Sequence, residues 1–130
     1  MLIAALLLAQ TAPVCTAIDA ALPAPLSGWK HEGSGFVPGH AFMLTVSGGT
    51  AGADFRIETA GLYGIALDQP GWIDVLPTGA SSPLKSVKHA DAQPCSTVRK
   101  IVRFSLAPGT YRLALTNLKQ ARAKVMLVAP

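Results

Sequence analysis

Between Ser86 and Cys95 the chain brings a histidine, an aspartate and a cysteine close together, in the run SVKHADAQPC. In an extended strand, side chains two apart share a face, so His89 and Asp91 of His-Ala-Asp have a spacing that suits two ligands of one metal ion. A non-haem iron centre of the dioxygenase kind needs two histidines and one carboxylate around an open coordination position. The second histidine would be His31 or His40, because no histidine follows His89. His31 stands directly beside Glu32 in a glycine-rich stretch, and a lone His-x-Asp recurs by chance. A domain of 130 residues also has little room to enclose an aromatic substrate beside a packed core. Iron bound by His89 and Asp91, with His40 or His31 as the second histidine, is the alternative expectation, and no cofactor is the main one.

Hydrolysis has weaker support. Gly33-Ser34-Gly35 is not a Gly-x-Ser-x-Gly elbow and lacks the strand–turn–helix setting that would expose the serine. Carboxylate pairs for glycoside cleavage would draw on Asp54, Glu58, Asp68 and Asp74, and the first two fall on the polar side of an alternating strand. Binding remains. Trp72 and Trp29 each adjoin a glycine near a turn, and Trp72 with Asp74 would offer an aromatic platform beside a hydrogen-bond acceptor. The chain is expected to be a non-catalytic accessory or binding domain, with a carbohydrate among its possible ligands.

Charge is unevenly spread. Before residue 81 there are two basic and six acidic residues, and from there on nine basic residues face Asp91 alone. Lys85, Lys88, Arg99, Lys100, Arg103 and Arg112 make up a basic surface that would attract anionic components of a cell envelope. The simpler role for such residues is to keep a sheet solvated and its edges unpaired.

The N-terminus reads as a leader. Leu2 to Ala9 is an unbroken apolar run followed by small residues, well short of the ~20 residues needed to cross a bilayer. Residues 1–12 are expected to be a signal peptide, 13–39 an irregular N-terminal segment and 40–130 a β-domain. Export to the periplasm or beyond makes nucleic acid an unsuitable partner and implies a mature protein with no transmembrane segment. It also suits a disulfide between Cys15 and Cys95. That bridge would span 80 positions, a closure worth ~4 kcal/mol on the loop-entropy model.

The elements that must position these residues are strands. No segment sustains a helical apolar period, while 12 glycines and 10 prolines interrupt the chain at short intervals. ADFRIET alternates cleanly, with Ala53, Phe55 and Ile57 on one face and Asp54, Arg56 and Glu58 on the other. HAFMLTV, LYGIAL, GWIDVL, VRKIVRFSL, TYRLALT and AKVMLVA are further short runs, and the N-terminal segment has room for one helical turn at Ile18–Leu22. The expected fold is all-β, an antiparallel, jelly-roll-like sandwich of about seven or eight strands. DFRIETAGLYGIAL and VRFSLAPGTYRLAL echo each other, so Tyr63 and Tyr111 are expected to pack on the core with their hydroxyls on backbone groups at a corner.

GLYGIALDQPGWIDVL, SVKHADAQPCSTVRKIVRFSLAPGTYRLALTN and the N-terminal CTAIDAALPAPLSGW together resemble small exported proteins of alphaproteobacteria, sphingomonad-like ones above all. Pro94-Cys95-Ser96 and Pro108-Gly109-Thr110-Tyr111 are the most specific parts of that pattern. The resemblance implies an exported β-protein without established activity, although some such proteins carry the label homogentisate dioxygenase. It is also similar, more broadly, to jelly-roll accessory domains of secreted enzymes. Relatives often have two histidines spaced one apart ahead of the cysteine; here His89 fills the first slot and Asp91 the second.

Overall fold

The computed structural model describes residues 15–90 and 93–130. The expected leader and Asp91 lie outside these residues. Eight strands follow a short 3₁₀ helix at Ala24–Lys30: β1 Ala41–Thr45, β2 Ala51–Ile57, β3 Gly61–Leu67, β4 Trp72–Pro77, β5 Lys88–Ala90, β6 Lys100–Leu106, β7 Gly109–Thr116 and β8 Arg122–Val128. They form a five-stranded sheet in the order β1-β8-β3-β6-β5 and a three-stranded sheet in the order β2-β7-β4. Every ladder is antiparallel. The all-β sandwich read from the sequence is the observed fold.

The order is that of a folded ribbon: β1 lies beside β8, β2 beside β7 and β3 beside β6. A complete jelly roll would then pair β4 with β5. Here, beyond the turn in which Ala80 N–H donates to Pro77, the connecting chain bonds to β4 through Leu84 N–H, which donates to the Val75 carbonyl. It then crosses to the other sheet, where Val87 N–H donates to Arg103 and β5 pairs with β6. β5 is not among the strand runs read from the sequence. Three residues are too few to show a period, and only the register with β6 defines the strand.

The core between the sheets follows from alternation. Phe55 and Ile57 of β2, Ile73 and Val75 of β4, and Tyr111, Leu113 and Leu115 of β7 face Ile65, Leu67, Val102, Phe104, Val125 and Leu127 of the larger sheet. Phe36 packs edge-on against Phe55 at 5.2 Å, and Phe55 stacks on Tyr111 at 5.6 Å. The two tyrosines meet their expectation. Tyr63 Oη donates to the Thr59 carbonyl and Tyr111 Oη to the Ala107 carbonyl, each at 2.6 Å and each four residues back. Each bond ties the start of a strand to the turn before it, while the ring stays in the core.

The back of the five-stranded sheet carries a second apolar cluster. Ala66, Ile101, Met126 and Val128 are covered there by Leu26 and Trp29 of the N-terminal segment. Its helical turn falls at Ala24–Lys30 rather than at Ile18–Leu22, because prolines at its start fix a helix-compatible backbone angle and lack the N–H that would be orphaned there. Gly28 makes the fit feasible: a Cβ at that position would stand 2.0 Å from the Gly39 carbonyl oxygen.

Two devices hold this strap. Cys15 and Cys95 form the expected disulfide, with Cα atoms 5.3 Å apart. Asp19 adds a polar clasp in which Oδ1 accepts from Ser96 Oγ and Thr97 N–H, and Oδ2 accepts from Thr97 Oγ1 at 2.6 Å. Thr97 Oγ1 in turn accepts from Trp29 Nε1 at 2.8 Å. Partial burial works against ionising Asp19, but the bonds from Ser96 and Thr97 outweigh it and Lys124 adds attraction, so its carboxyl sits below the ordinary 3.8. A lowered carboxylate value stabilises the fold above the unfolded-state value and loses that contribution as pH falls through the folded one. Acid unfolding should therefore show a component below about pH 4 that Asp19→Ala removes. The same variant should lose about 1–2 kcal/mol at neutral pH, measured by urea unfolding.

Candidate functional site

Where β5 leaves β4, the side of the sandwich opens into a groove of about 130 Å³. Trp72 is the first residue of β4, on the outer face of the smaller sheet at its edge, and is 58% exposed. Asp74 shares that face two residues on, and its Oδ1 accepts from Trp72 Nε1 at 3.2 Å. Lys100 comes from the other sheet. It stands on the inward side of β6 with Val102 and Phe104, but at the strand's first residue, where the core ends. Its ammonium therefore emerges at the rim, donates to the Gly71 carbonyl at 2.8 Å and lies 5.6 Å from the centre of the Trp72 ring. That distance is within cation–π range.

His89 forms the opposite lip. It sits across from Val102 in the β5–β6 ladder, so its side chain takes the inward side of the sheet. His89 Nε2 and Ser86 Oγ are 3.1 Å apart. Leu84, Ile73, Val102 and Phe104 line the back. The groove thus has an aromatic plate with one face braced by a cation, a carboxylate acceptor, an imidazole–hydroxyl pair and an apolar floor.

Those groups suit holding a ligand better than breaking a bond. A serine–histidine contact is the start of a nucleophile and base, yet among the described residues no carboxylate accepts from the second ring nitrogen of His89. The Asp74 contact goes to the Trp72 indole instead. An exposed indole flanked by an acceptor and donors can stack on a ligand's apolar face and hydrogen-bond its rim.

Of the expected iron ligands, the three histidines do not meet. His40 immediately precedes β1 and His89 lies on β5, the two opposite edges of the five-stranded sheet. Four strand spacings separate these edges, ~19 Å, against ~2 Å for a metal–nitrogen bond. His40 Nε2 stands within 3.2 Å of the carbonyls of both Ser34 and Gly35, and His31 is exposed on the N-terminal segment. Among the described residues no cluster of three or more histidine, cysteine, aspartate or glutamate side chains is placed to hold a metal. His31 and His40 are thus withdrawn as partners of His89. Trp29 is no ligand platform either, because it is fully buried between the strap that carries it and the five-stranded sheet, with Lys124 Nζ 4.7 Å from its ring centre.

The basic residues also separate. Lys88 faces Arg103 directly across the β5–β6 ladder, and Lys85 precedes β5. Arg99 lines a different depression, near Asp68 and Gln120. Lys100 turns into the groove, and Arg112 lies on the smaller sheet, 3.4 Å from Asp54. Nothing in the sequence marks Ser86 as a groove residue, and Lys100, which the sequence presents as one of the basic surface residues, turns to the rim of the groove. A lysine on the apolar side of VRKIVRFSL, in phase with Val102, Phe104 and Leu106, was the available signal.

No family model matches this sequence, and no curated protein matches it at a significant level. The tryptophans give a direct check on the site. Iodide should quench the emission of Trp72 and leave Trp29 dark to the quencher, so Trp72→Phe abolishes the quenchable fraction. Trp72→Ala should change stability by less than about 0.5 kcal/mol, whereas Trp29→Ala should cost about 3–5 kcal/mol in chemical denaturation.

Proposed function

We propose that the protein is a non-catalytic accessory or binding domain, exported to the periplasm or beyond, which holds a sugar ring of the cell envelope on Trp72. The observation that carries this reading is an exposed indole whose edge is fixed by Asp74 and whose neighbour is Lys100. One face of a pyranose presents C–H groups to an aromatic plate, and its hydroxyls would find Asp74 as acceptor and Lys100 and His89 as donors. Export is supported by the Cys15–Cys95 disulfide, by the apolar N-terminus, and by the resemblance to exported proteins. Among the described residues no helix is long and apolar enough to cross a membrane.

Titration with neutral and acidic hexoses and their short oligomers, followed by Trp72 fluorescence and calorimetry, tests the reading. A binding sugar should shift the Trp72 signal, and Trp72→Ala should weaken its binding at least tenfold, about 1.4 kcal/mol. A panel in which every sugar leaves both signals unchanged retires it.

A second reading rests on Lys88 and Arg103. Like charges directly opposite in a ladder repel, and an anion lying across both would relieve the repulsion. Retention on an anionic matrix should then fall with salt and be lost in Lys88→Glu/Arg103→Glu. Retention unaffected by that double change would place the anion contact elsewhere.

A further inference from the structure

β2 is the long unpaired edge of the smaller sheet. Its sole strand neighbour is β7, and among the described residues Ala51–Ile57 make no backbone hydrogen bonds outside that ladder. The other edges are partly occupied or short. Glu32 bridges to Ala41 of β1, Leu84 caps β4, and β5 has three residues. A free edge of seven residues is a template for another strand, and proteins usually block it with proline, a bulge or charges of one sign. β2 has no proline and pairs continuously with β7. Its outward charges alternate in sign: Asp54, Arg56, and Glu58 just beyond. A shallow hollow of about 730 Å³ runs along this edge, between β2 and Gly35–Pro38.

We propose that β2 pairs antiparallel with β2 of a second copy of this chain, about a two-fold axis at Phe55. In that register Asp54 of each copy faces Arg56 of the other. Glu58 faces Gly52, over which the Arg112 guanidinium already lies: a Cβ on Gly52 would be 2.9 Å from Arg112 Nη2. The missing side chain leaves space for Glu58 of the other copy to reach that cation. On the inner face Phe55 stands opposite Phe55, each beside the Phe36 of its own copy, and Ile57 stands opposite Ala53, a large residue against a small one.

Charge selects this register over its neighbours. Shifting the axis to Arg56 sets Arg56 against Arg56 and Asp54 against Glu58. Shifting it to Asp54 sets Asp54 against Asp54. An axis midway between two residues would turn apolar side chains of one copy to the wet face of the other. The product is a closed, isologous dimer with a continuous six-stranded sheet, β4-β7-β2 in each half. Both Trp72 grooves remain at its far ends.

Sedimentation equilibrium on the full, disulfide-bonded chain tests the pairing. The wild type should self-associate with concentration. Arg56→Glu sets acid against acid twice across the axis, and Asp54→Arg sets base against base twice, so each variant alone should self-associate at least tenfold more weakly. Mixed one to one, the two variants should associate again, since every facing pair is then opposite in charge. That recovery also shows that both variants are folded. Hydrogen exchange of the β2 amides should slow on association in the wild type. A wild type that stays monomeric up to its solubility limit overturns the proposal. So does either variant associating like the wild type, or a mixture that stays monomeric.

Discussion

The five-stranded sheet is apolar on both faces, and the rest of the molecule is arranged around giving it two covers. Along β3 the residues from Tyr63 to Leu67 are all buried, and along β8 those from Val125 to Val128 are too. Strands of this kind are stable only with a layer on each side. The smaller sheet supplies one layer. The other is the N-terminal strap, whose regular structure is one short 3₁₀ helix. A covalent bridge from Cys15 to Cys95 and the Asp19 clasp hold it there, and Trp29 fills the space they secure.

The smaller sheet has only one apolar face, and its other face is where the chain meets its surroundings. In β7 buried and accessible residues alternate, so Arg112 and Ala114 look outward while Tyr111, Leu113 and Leu115 look in. Trp72 is the large aromatic on that outer face, and it stands at the edge that β5 abandons. The groove therefore follows from topology as much as from residue type. Had β5 stayed beside β4, it would have covered the rim from which Lys100 and His89 now reach Trp72.

Much of this was legible in the sequence because it rests on periods and turns. Period two in ADFRIET and TYRLALT, the glycine and proline interruptions, and the paired Gly-x-Tyr corners each have local physical causes. Two cysteines in a chain that opens on an apolar run were enough to read a bridge. What the sequence withheld was tertiary. Trp29 and Trp72 have similar neighbours, a glycine and a turn, yet one is pressed by the strap onto the larger sheet and the other stands on a rim, and only the strap's path decides. The three histidines invite a shared metal until the strand order sets His40 and His89 at opposite edges. Ser86 joins the groove only because the chain changes sheets between Leu84 and Val87.

The strap and the groove converge on one short stretch of chain. Cys95 is bridged, Ser96 and Thr97 grip Asp19, and Val98 is buried in the rear cluster. Arg99 N–H donates to the Leu67 carbonyl, which fixes the level at which β6 begins. The next residue is Lys100. Side chains alternate, so this anchoring sends Ile101 to the back, under Leu26 and Trp29, and Lys100 to the front, against Trp72. A slip of one residue at the start of β6 would exchange those two destinations, burying a cation beneath the strap and leaving the indole without its neighbour. The bonds that fasten the strap to residues 95–97, with that of Arg99 to Leu67, thereby also fix the direction of the lysine that braces the ligand platform.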